Sequence, residues 1–209
     1  MLNQYIYNEI INSLVYEPTE GQNELILKLS DFVSSVSDEN EIFLLKGYAG
    51  TGKTSSIASL VKALKKLKVK SVLMAPTGRA AKVLSSYANA SAFTIHKKIY
   101  RQQSAADGIG MFTPDINLHK NTIFIVDEAS MIANQNSENS VFGSGRLLSD
   151  LISYVYNDKA CKLILVGDTA QLPPVKLDIS PALDKKELES YGYTIIDHEL
   201  TEVVRQDIE

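Results

Sequence analysis

The sequence has a single cysteine, Cys161, and no apolar run long enough to cross a membrane. One cysteine excludes an internal disulfide framework and a cysteine-based zinc site. Residues 162–166 are mostly apolar, so we interpret Cys161 as a small residue entering a core strand rather than as a nucleophile. Residues 1–16 lack a basic start and an uninterrupted apolar core, so we do not expect a signal peptide. These absences favour a protein of the reducing cytoplasm.

Acidic residues are absent from one long block of the chain. Residues 42–106 contain no aspartate or glutamate but 12 of the 21 lysines and arginines, so all 25 acidic residues lie elsewhere. The net charge of −4 alone argues weakly against nucleic acid. A phosphate backbone responds to a local basic patch, so this block keeps nucleic acid open as a partner. For the lysines at 62–68, a solvated helix face is the simpler interpretation.

Short apolar runs alternate with helical periods along the chain. Strands are predicted at 42–46, 71–75, 122–126, 162–166 and 193–196. Helices are predicted at 25–36, 54–67, 79–87 and 147–156, after an amphipathic segment at 1–17. This alternation predicts one α/β domain over residues 1–209, with a parallel sheet and helices on both faces.

The first predicted strand runs into a glycine-rich turn that ends in Lys53 and Thr54. The spacing Gly-x-x-x-x-Gly-Lys-Thr fits a phosphate-binding loop, in which glycines let backbone N–H groups approach phosphate oxygens. Lys53 reaches the β- and γ-phosphates in such a loop, and the Thr54 hydroxyl ligates Mg²⁺. The predicted nucleotide-binding residues are Gly47, Gly50, Thr51, Gly52, Lys53 and Thr54. The alternative is a glycine-rich turn that binds nothing.

Polar residues also follow two later strands, and ligands of open α/β sheets bind at such strand ends. Asp127 is predicted to hold Mg²⁺, and Glu128 to act as general base on the attacking water. Gln171 is predicted to contact the γ-phosphate or to orient water, because an amide both donates and accepts. Surface turns without chemistry are the alternative for both loops.

Together the loop at 47–54, the acidic run at 127–130 and the loop at 167–174 resemble superfamily 1 DNA helicases, most of all their RecD-like group. Further matches at 19–22, 75–81, 94–96 and 200–206 extend the resemblance along most of the chain. The resemblance implies a P-loop NTPase domain of the RecA-like type. It further implies ATP and Mg²⁺ as cofactors, 5′→3′ movement on single-stranded DNA, unwinding at duplex junctions, and work in DNA repair or recombination.

The same resemblance assigns roles to individual residues. Gln22 would bond the adenine edge, and Arg205 would contact the γ-phosphate. Residues that would grip DNA are Pro76, Thr77, Gly78 and Arg79 in one motif, and Thr94 and His96 in the next. Three alternatives remain open: a surface salt bridge for Arg79, a partly buried position for His96, and an i,i+3 pair with Glu202 for Arg205.

In the RecD-like group a β-hairpin pin that splits the duplex lies between the motif that matches residues 94–96 and the motif that matches the acidic run at 127–130. Residues 97–120 occupy that place, and their apolar residues near Gly108 and Gly110 include Phe112. An apolar tip can stack on an unpaired base, so Phe112 is a candidate DNA contact. The alternative is an insertion that packs its apolar residues on the body of the domain.

Motors of this family have two RecA-like domains with ATP between them, and nothing in the sequence resembles the second domain. The resemblance therefore implies an excised or truncated N-terminal domain that needs this partner domain, binds ATP weakly and hydrolyses it poorly. Two other classes stay open. One is an ATP-dependent enzyme that is not a helicase, such as a kinase or regulatory NTPase. The other is a nucleic-acid-binding or regulatory fragment without turnover.

Overall fold

A computed structural model describes residues 2–35, 40–103, 111–134, 142–157, 160–171, 174 and 179–204. The strands are β1 (Glu41–Gly47), β2 (Lys70–Ala75), β3 (Ala92–Thr94), β4 (Tyr100–Gln103), β5 (Met111–Pro114), β6 (Thr122–Val126), β7 (Lys162–Gly167) and β8 (Thr194–Leu200). The α-helices are α1 (Leu2–Ile11), α2 (Glu20–Ser34), α3 (Lys53–Lys66), α4 (Gly78–Ala88), α5 (Ile95–Ile99), α6 (Leu147–Val155) and α7 (Lys185–Ser190). Among these described helices, none is long and apolar enough to cross a membrane.

Six strands form one sheet in the order β3-β2-β6-β7-β1-β8, and every pairing in it is parallel. The sheet is covered on both sides, as alternate residues of β1 show. Ile42 and Leu44 pack into one core with α5, α6 and α7, whereas Phe43 and Leu45 pack into the other with α1 to α4. Parallel sheets buried on both faces carry continuous apolar strands, which explains the apolar runs in the sequence.

The predicted α/β fold with a parallel sheet is confirmed, and a separate antiparallel hairpin of β4 and β5 accompanies it. The five predicted strands are present, and β8 is longer than predicted. The short elements β3, α5 and α7 were not predicted, because three to six residues are too few to show a period. In the sheet, β7 lies between the strand that leads into the glycine-rich loop, β1, and the strand that leads into the acidic pair, β6.

Three threonines begin helices by accepting a backbone N–H at the N-cap position. Thr19 accepts from Gln22, Thr77 from Ala80, and Thr94 accepts the Lys97 N–H. An N-cap hydroxyl satisfies one of the amides that a helix start leaves without an intrahelical partner, and contributes about 1 kcal/mol. Thr77 and Thr94, both predicted DNA contacts, therefore also have structural roles.

An aromatic cluster anchors the hairpin to the domain. The Phe112 ring of β5 stacks on Phe142 with 4.6 Å between ring centroids. Phe142 also meets His96 edge-on at 4.9 Å and lies 5.7 Å from Tyr100. The cluster packs against the core on the α6 side of the sheet. The hairpin is thus held by aromatic contacts, which are worth about 0.5–1.5 kcal/mol per pair beyond area burial.

A buried carboxylate ties this cluster to α6. The Tyr100 hydroxyl donates to Asp150 Oδ2 at 2.6 Å, and the backbone N–H and hydroxyl of Ser144 donate to the same carboxylate. Burial, followed by the hydrogen bond to Asp150, raises the pKa of the Tyr100 phenol far above its ordinary value. Hydrogen bonds to charged groups contribute about 1.5–3 kcal/mol each. The position of the hairpin base is therefore specified by polar as well as aromatic contacts.

Candidate functional site

The carboxyl ends of β1, β7 and β6 lie side by side at one edge of the sheet. β1 leads into the loop at 47–52, which runs directly into α3, and β6 leads into the pair Asp127 and Glu128. β7, between them, leads to Asp168. Parallel pairing alone brings these three loops together, as the strand-end argument predicts.

Glycine is required at position 52 for two reasons. Gly52 is the residue before α3 and has a φ of 89°, which favours glycine. A Cβ built there would lie 2.4 Å from Gln22 Nε2. The loop therefore delivers the N-terminus of α3, with its partial positive charge, to the strand edge, where an anion is stabilised.

Lys53 is folded back over the loop. Its Nζ donates to the carbonyl oxygens of Gly47 at 2.7 Å and Tyr48 at 2.8 Å. The ammonium also lies 3.9 Å from Asp168 Oδ2. Burial lowers the pKa of Lys53, while the nearby carboxylates, Asp168 first, work against that change. Among the described residues the hydrogen-bond acceptors of this ammonium are carbonyl oxygens, and the Asp168 carboxylate lies at ion-pair distance beyond them.

Thr54 and Asp127 bring together two oxygen atoms that could ligate a metal ion. The Thr54 hydroxyl lies 3.3 Å from Asp127 Oδ2, and Asp127 Oδ1 accepts the Glu128 N–H at 2.9 Å. Burial raises the pKa of the Asp127 carboxyl above its ordinary value, and this backbone hydrogen bond opposes the rise. Oxygen ligands suit a hard cation, and Mg²⁺ takes one or two protein ligands while phosphates and water complete its shell. The residues therefore fit Mg²⁺ bound together with a nucleotide.

No group of three or more histidine, cysteine or carboxylate side chains suited to a metal ion occurs among the described residues. Such a cage is not needed for a cation that substrate phosphates help to hold.

Glu128 has a backbone conformation that is uncommon outside glycine. Its φ is 57° and its ψ is 35°, in the left-handed region, at the turn from β6 into a short 3₁₀ helix, Ala129–Met131. A non-glycine residue there costs about 1–3 kcal/mol and is kept where the surroundings impose it. The turn places Glu128 in the wall of the same cleft as Lys53.

Gln171 is connected to the acidic loop through Ser130. The Ser130 hydroxyl donates to Gln171 Oε1 at 2.8 Å, and Gln171 lines the cleft. This bond orients the amide, with its oxygen toward Ser130. The loops after β6 and β7 therefore form one hydrogen-bonded unit beside the glycine-rich loop.

Gln22 links the first turn of α2 to the glycine-rich loop. Its Oε1 accepts the Thr19 N–H at 3.1 Å, and its Nε2 donates to the Thr51 carbonyl at 3.0 Å. An amide has two N–H donors and two acceptor lone pairs, so one of each remains beyond these bonds. Gln22, the residue predicted to bond adenine, thus holds the glycine-rich loop through Thr51. It also lines the cleft.

The segment that follows β8 packs directly on the glycine-rich loop. The Val204 N–H donates to the Gly50 carbonyl at 2.9 Å. A Cβ at Gly47 would lie 2.6 Å from the Leu200 carbonyl oxygen, so glycine permits this close approach. His198 of β8 bonds the Gly21 carbonyl through Nε2 at 2.9 Å. β8 thus braces both the loop and the start of α2.

One cleft of about 1110 Å³ joins these features. It extends from the glycine-rich loop along α4, where Arg79, Val83 and Tyr87 line it. Two large side chains in this wall are exposed to solvent: Tyr87 has 59% and Val83 47% of its surface accessible. The cleft exceeds the common size of small-ligand pockets, about 300–1,000 Å³, so it has room beyond a nucleotide.

The predicted DNA contacts fall in two places. Thr77 and Arg79 line the cleft. Arg79 is exposed and makes no ion pair with any described residue. The alternative of a surface salt bridge for Arg79 therefore gains no support. Pro76 and Gly78 adjoin them. Thr94 and His96 do not line the cleft.

His96 and Phe112 are half-buried, and both contact the aromatic cluster around Phe142. Burial lowers the pKa of His96, and its ring meets Phe142 in the aromatic cluster. This favours the alternative of a partly buried histidine. Phe112 pairs with Gln102 within the ladder of β4 and β5 and stacks on Phe142, so its ring anchors the insertion on the domain. Residues 104–110 of the predicted insertion, which include Gly108 and Gly110, and Arg205 lie outside the described residues.

Two contributions to the site were absent from the sequence interpretation. The sequence places Asp168 in the loop at 167–174. Its position beside Lys53 follows only from the strand order, in which β7 lies next to β1. The bond from Val204 to Gly50 joins residues far apart in sequence, and a backbone contact leaves no sequence signal.

A family model described as AAA domain matches residues 30–209. The ATP-dependent RecD2 DNA helicase of Deinococcus radiodurans is 30% identical over 151 residues, which is 70% of this chain and 18% of that protein. The RecBCD enzyme subunit RecD of Buchnera aphidicola is 31% identical over 163 residues, which is 66% of this chain and 24% of that subunit. The chain therefore spans less than a quarter of these curated relatives.

A solved structure of the Pif1 helicase from Bacteroides, in complex with ADP-AlF3 and ssDNA, has a similar fold. Its TM-score is 0.51 and its sequence identity 19%, with 92% of this chain and 44% of that chain covered. At this identity the similarity concerns the fold alone.

Proposed function

Because this chain belongs to the AAA domain family and is a distant homologue of RecD-type helicases, we propose that it is the N-terminal ATP-binding motor domain of a DNA helicase. The proposed activity is ATP hydrolysis coupled to 5′→3′ translocation on single-stranded DNA and to duplex unwinding. A second RecA-like domain is its proposed partner in the cleft. The observation that carries the proposal is the convergence of Lys53, Thr54, Asp127 and Glu128 on one edge of the sheet.

Binding of ATP is supported by the loop and the helix behind it. The N-terminus of α3 and the Lys53 ammonium both favour an anion at the loop. Lys53 would exchange its bonds to the Gly47 and Tyr48 carbonyls for phosphate oxygens, which as anionic acceptors bind an ammonium more strongly than carbonyls do. Mg²⁺ bound with ATP would be held by Thr54 and Asp127 and would neutralise charge on the phosphates.

Hydrolysis requires a base on the attacking water, and Glu128 is the proposed one. Its carboxylate takes the proton of that water as the γ-phosphoryl group is transferred. Gln171 is the proposed residue that orients this water or contacts the γ-phosphate, and its hydrogen bond from Ser130 supports a fixed amide. Arg205 is proposed as a further γ-phosphate contact, on the resemblance alone.

The proposed DNA strand lies along the α4 side of the cleft. The exposed Arg79 and the start of α4 offer a cation and backbone N–H groups to phosphates. The glycine-rich loop and α4 line one continuous cleft. A movement of the loop on ATP hydrolysis could therefore reach DNA bound along α4 over a short distance. Direction of movement rests on the resemblance to RecD-like proteins.

Gln22 offers a test of base selectivity, because its amide keeps one donor and one acceptor for adenine. Gln22→Ala is expected to weaken ATP binding about ten-fold more than GTP binding, roughly the loss of one to two hydrogen bonds. Dissociation constants from fluorescent nucleotide titration measure this, with Gln4→Ala on exposed α1 as the matched control. If the affinities for ATP and GTP fell equally, Gln22 would not read the base, and its role would be the hydrogen bond to the Thr51 carbonyl.

The motor proposal is tested by ATP hydrolysis of the full-length protein with and without a single-stranded oligonucleotide of thymidines. A motor is expected to accelerate at least ten-fold with DNA, and the acceleration is expected to fall as salt rises, because phosphate contacts release counterions. A kinase or regulatory NTPase would hydrolyse at one rate in both reactions. A binding fragment would retain the oligonucleotide without hydrolysing ATP.

A further inference from the structure

A second cavity of about 330 Å³ opens on the surface formed by α5 and the segment between β5 and β6. We call it the lysine groove, defined by Phe93, Lys97, Lys98, Ile116, Leu118 and His119. It shares no lining residue with the cleft at the glycine-rich loop. The proposed ATPase activity makes no use of it.

Two large aliphatic side chains stand open to solvent at this groove. Ile116 is 65% exposed and Leu118 is 84% exposed. Asn117 between them is buried, and its Nδ2 donates to the Val155 carbonyl at 3.2 Å while its Oδ1 accepts the His119 N–H at 2.9 Å. The buried amide therefore fixes the segment so that its neighbours point outward. A contact surface built on this segment loses little conformational entropy when a partner covers it.

The groove is positively charged. Lys98 Nζ lies 5.5 Å and Lys97 Nζ 6.0 Å from the centroid of the Phe93 ring. Burial lowers the pKa of His119, and the charges of Lys98 and Lys70 add to that effect, so a third lysine lies near. Asp115 is the acid in the groove lining, and Arg101 lies 3.9 Å from its carboxylate.

We propose that the lysine groove binds an acidic peptide segment of a partner protein, with an apolar side chain of that segment seated against Ile116 and Leu118. The lysines of the groove favour an acidic partner by charge complementarity. The exposed Ile116 and Leu118 favour a partner that also has an apolar side chain to bury against them. Single-stranded DNA fits less well. Base-binding surfaces use open aromatic faces, whereas the two ammonium groups lie over Phe93 and the outward side chains are aliphatic.

Peptide display tests this proposal without a known partner. A random twelve-residue library is selected on the wild-type chain, and the affinities of enriched peptides are measured by fluorescence anisotropy. We expect enriched peptides to carry a net charge of about −3 or more negative and at least one large apolar residue. Leu118→Asp and Lys98→Glu are each expected to weaken these peptides at least ten-fold.

The matched controls are Leu27→Ser on the exposed side of α2 and Lys62→Glu on the exposed side of α3, which are expected to leave peptide affinity within two-fold. All four positions are at least partly solvent-exposed, and circular dichroism checks that each variant folds. Peptides without acidic residues, or acidic peptides that bind Leu118→Asp and Lys98→Glu as well as wild type, would overturn the proposal. A thymidine oligonucleotide that loses affinity for these two variants, while no acidic peptide does, would make the groove a DNA surface instead.

Discussion

Glu128→Gln is expected to reduce ATP hydrolysis by about 10²–10⁴-fold, the usual contribution of a positioned general base. The amide has nearly the same shape but does not accept a proton from water. Binding of ATP is expected to stay within about three-fold, because the proposed phosphate contacts are Lys53 and the α3 N-terminus, which the variant leaves unchanged. DNA-stimulated hydrolysis of the full-length protein and titration with a fluorescent ATP analogue provide the two measurements.

Glu24→Gln, an exposed change on α2, is the control for the loss of one carboxylate. Hydrolysis at the wild-type rate in Glu128→Gln would remove Glu128 from the role of base. The left-handed backbone at position 128 is independent of the side-chain amide, so this variant tests chemistry without removing the turn.

Lys53→Ala is expected to weaken ATP binding about 100-fold and to abolish measurable hydrolysis. The variant removes the charge-assisted contact that we propose to the β- and γ-phosphates, and a 100-fold loss corresponds to about 2.8 kcal/mol. In the structure Lys53 also donates to the Gly47 and Tyr48 carbonyls. Some loss of stability is therefore expected as well, and urea unfolding separates it from the loss of affinity.

Lys62→Ala removes an ammonium from the exposed side of the same helix and is expected to leave binding unchanged. If Lys53→Ala bound ATP as tightly as this control, the loop would not be the phosphate site. Comparison of ATP with ADP sharpens the result, because the loss is expected to be larger for the ligand that carries the γ-phosphate.

The placement of Lys53, Asp127 and Glu128 was predictable, because apolar runs identify strands and parallel strands end at one edge. The strand order was not, since sequence pattern does not say which strand lies between two others. As a result the role of Asp168 beside Lys53 was missed. The partners of Gln22 and His96 were also beyond prediction. Their side chains bond or stack with Thr51 and Phe142, which are distant in sequence, and only packing brings them together.

The hairpin shows the same limit. Its existence at 97–120 was predictable from composition and from the resemblance. The direction of Phe112 was not, because the ring stacks on Phe142 from a different segment. A residue that looks like an exposed tip in sequence can serve as an anchor when a distant aromatic ring offers a better partner than water.

Strand displacement tests the central proposal, a motor domain that moves 5′→3′, most directly. The full-length protein is mixed with ATP, Mg²⁺ and either of two fluorescent duplexes, one with a 5′ single-stranded tail and one with a 3′ tail. We predict unwinding of the 5′-tailed duplex, little unwinding of the 3′-tailed one, and none by Glu128→Gln. Hydrolysis of ATP with no displacement of either strand would contradict the helicase proposal, and preference for the 3′ tail would contradict the direction.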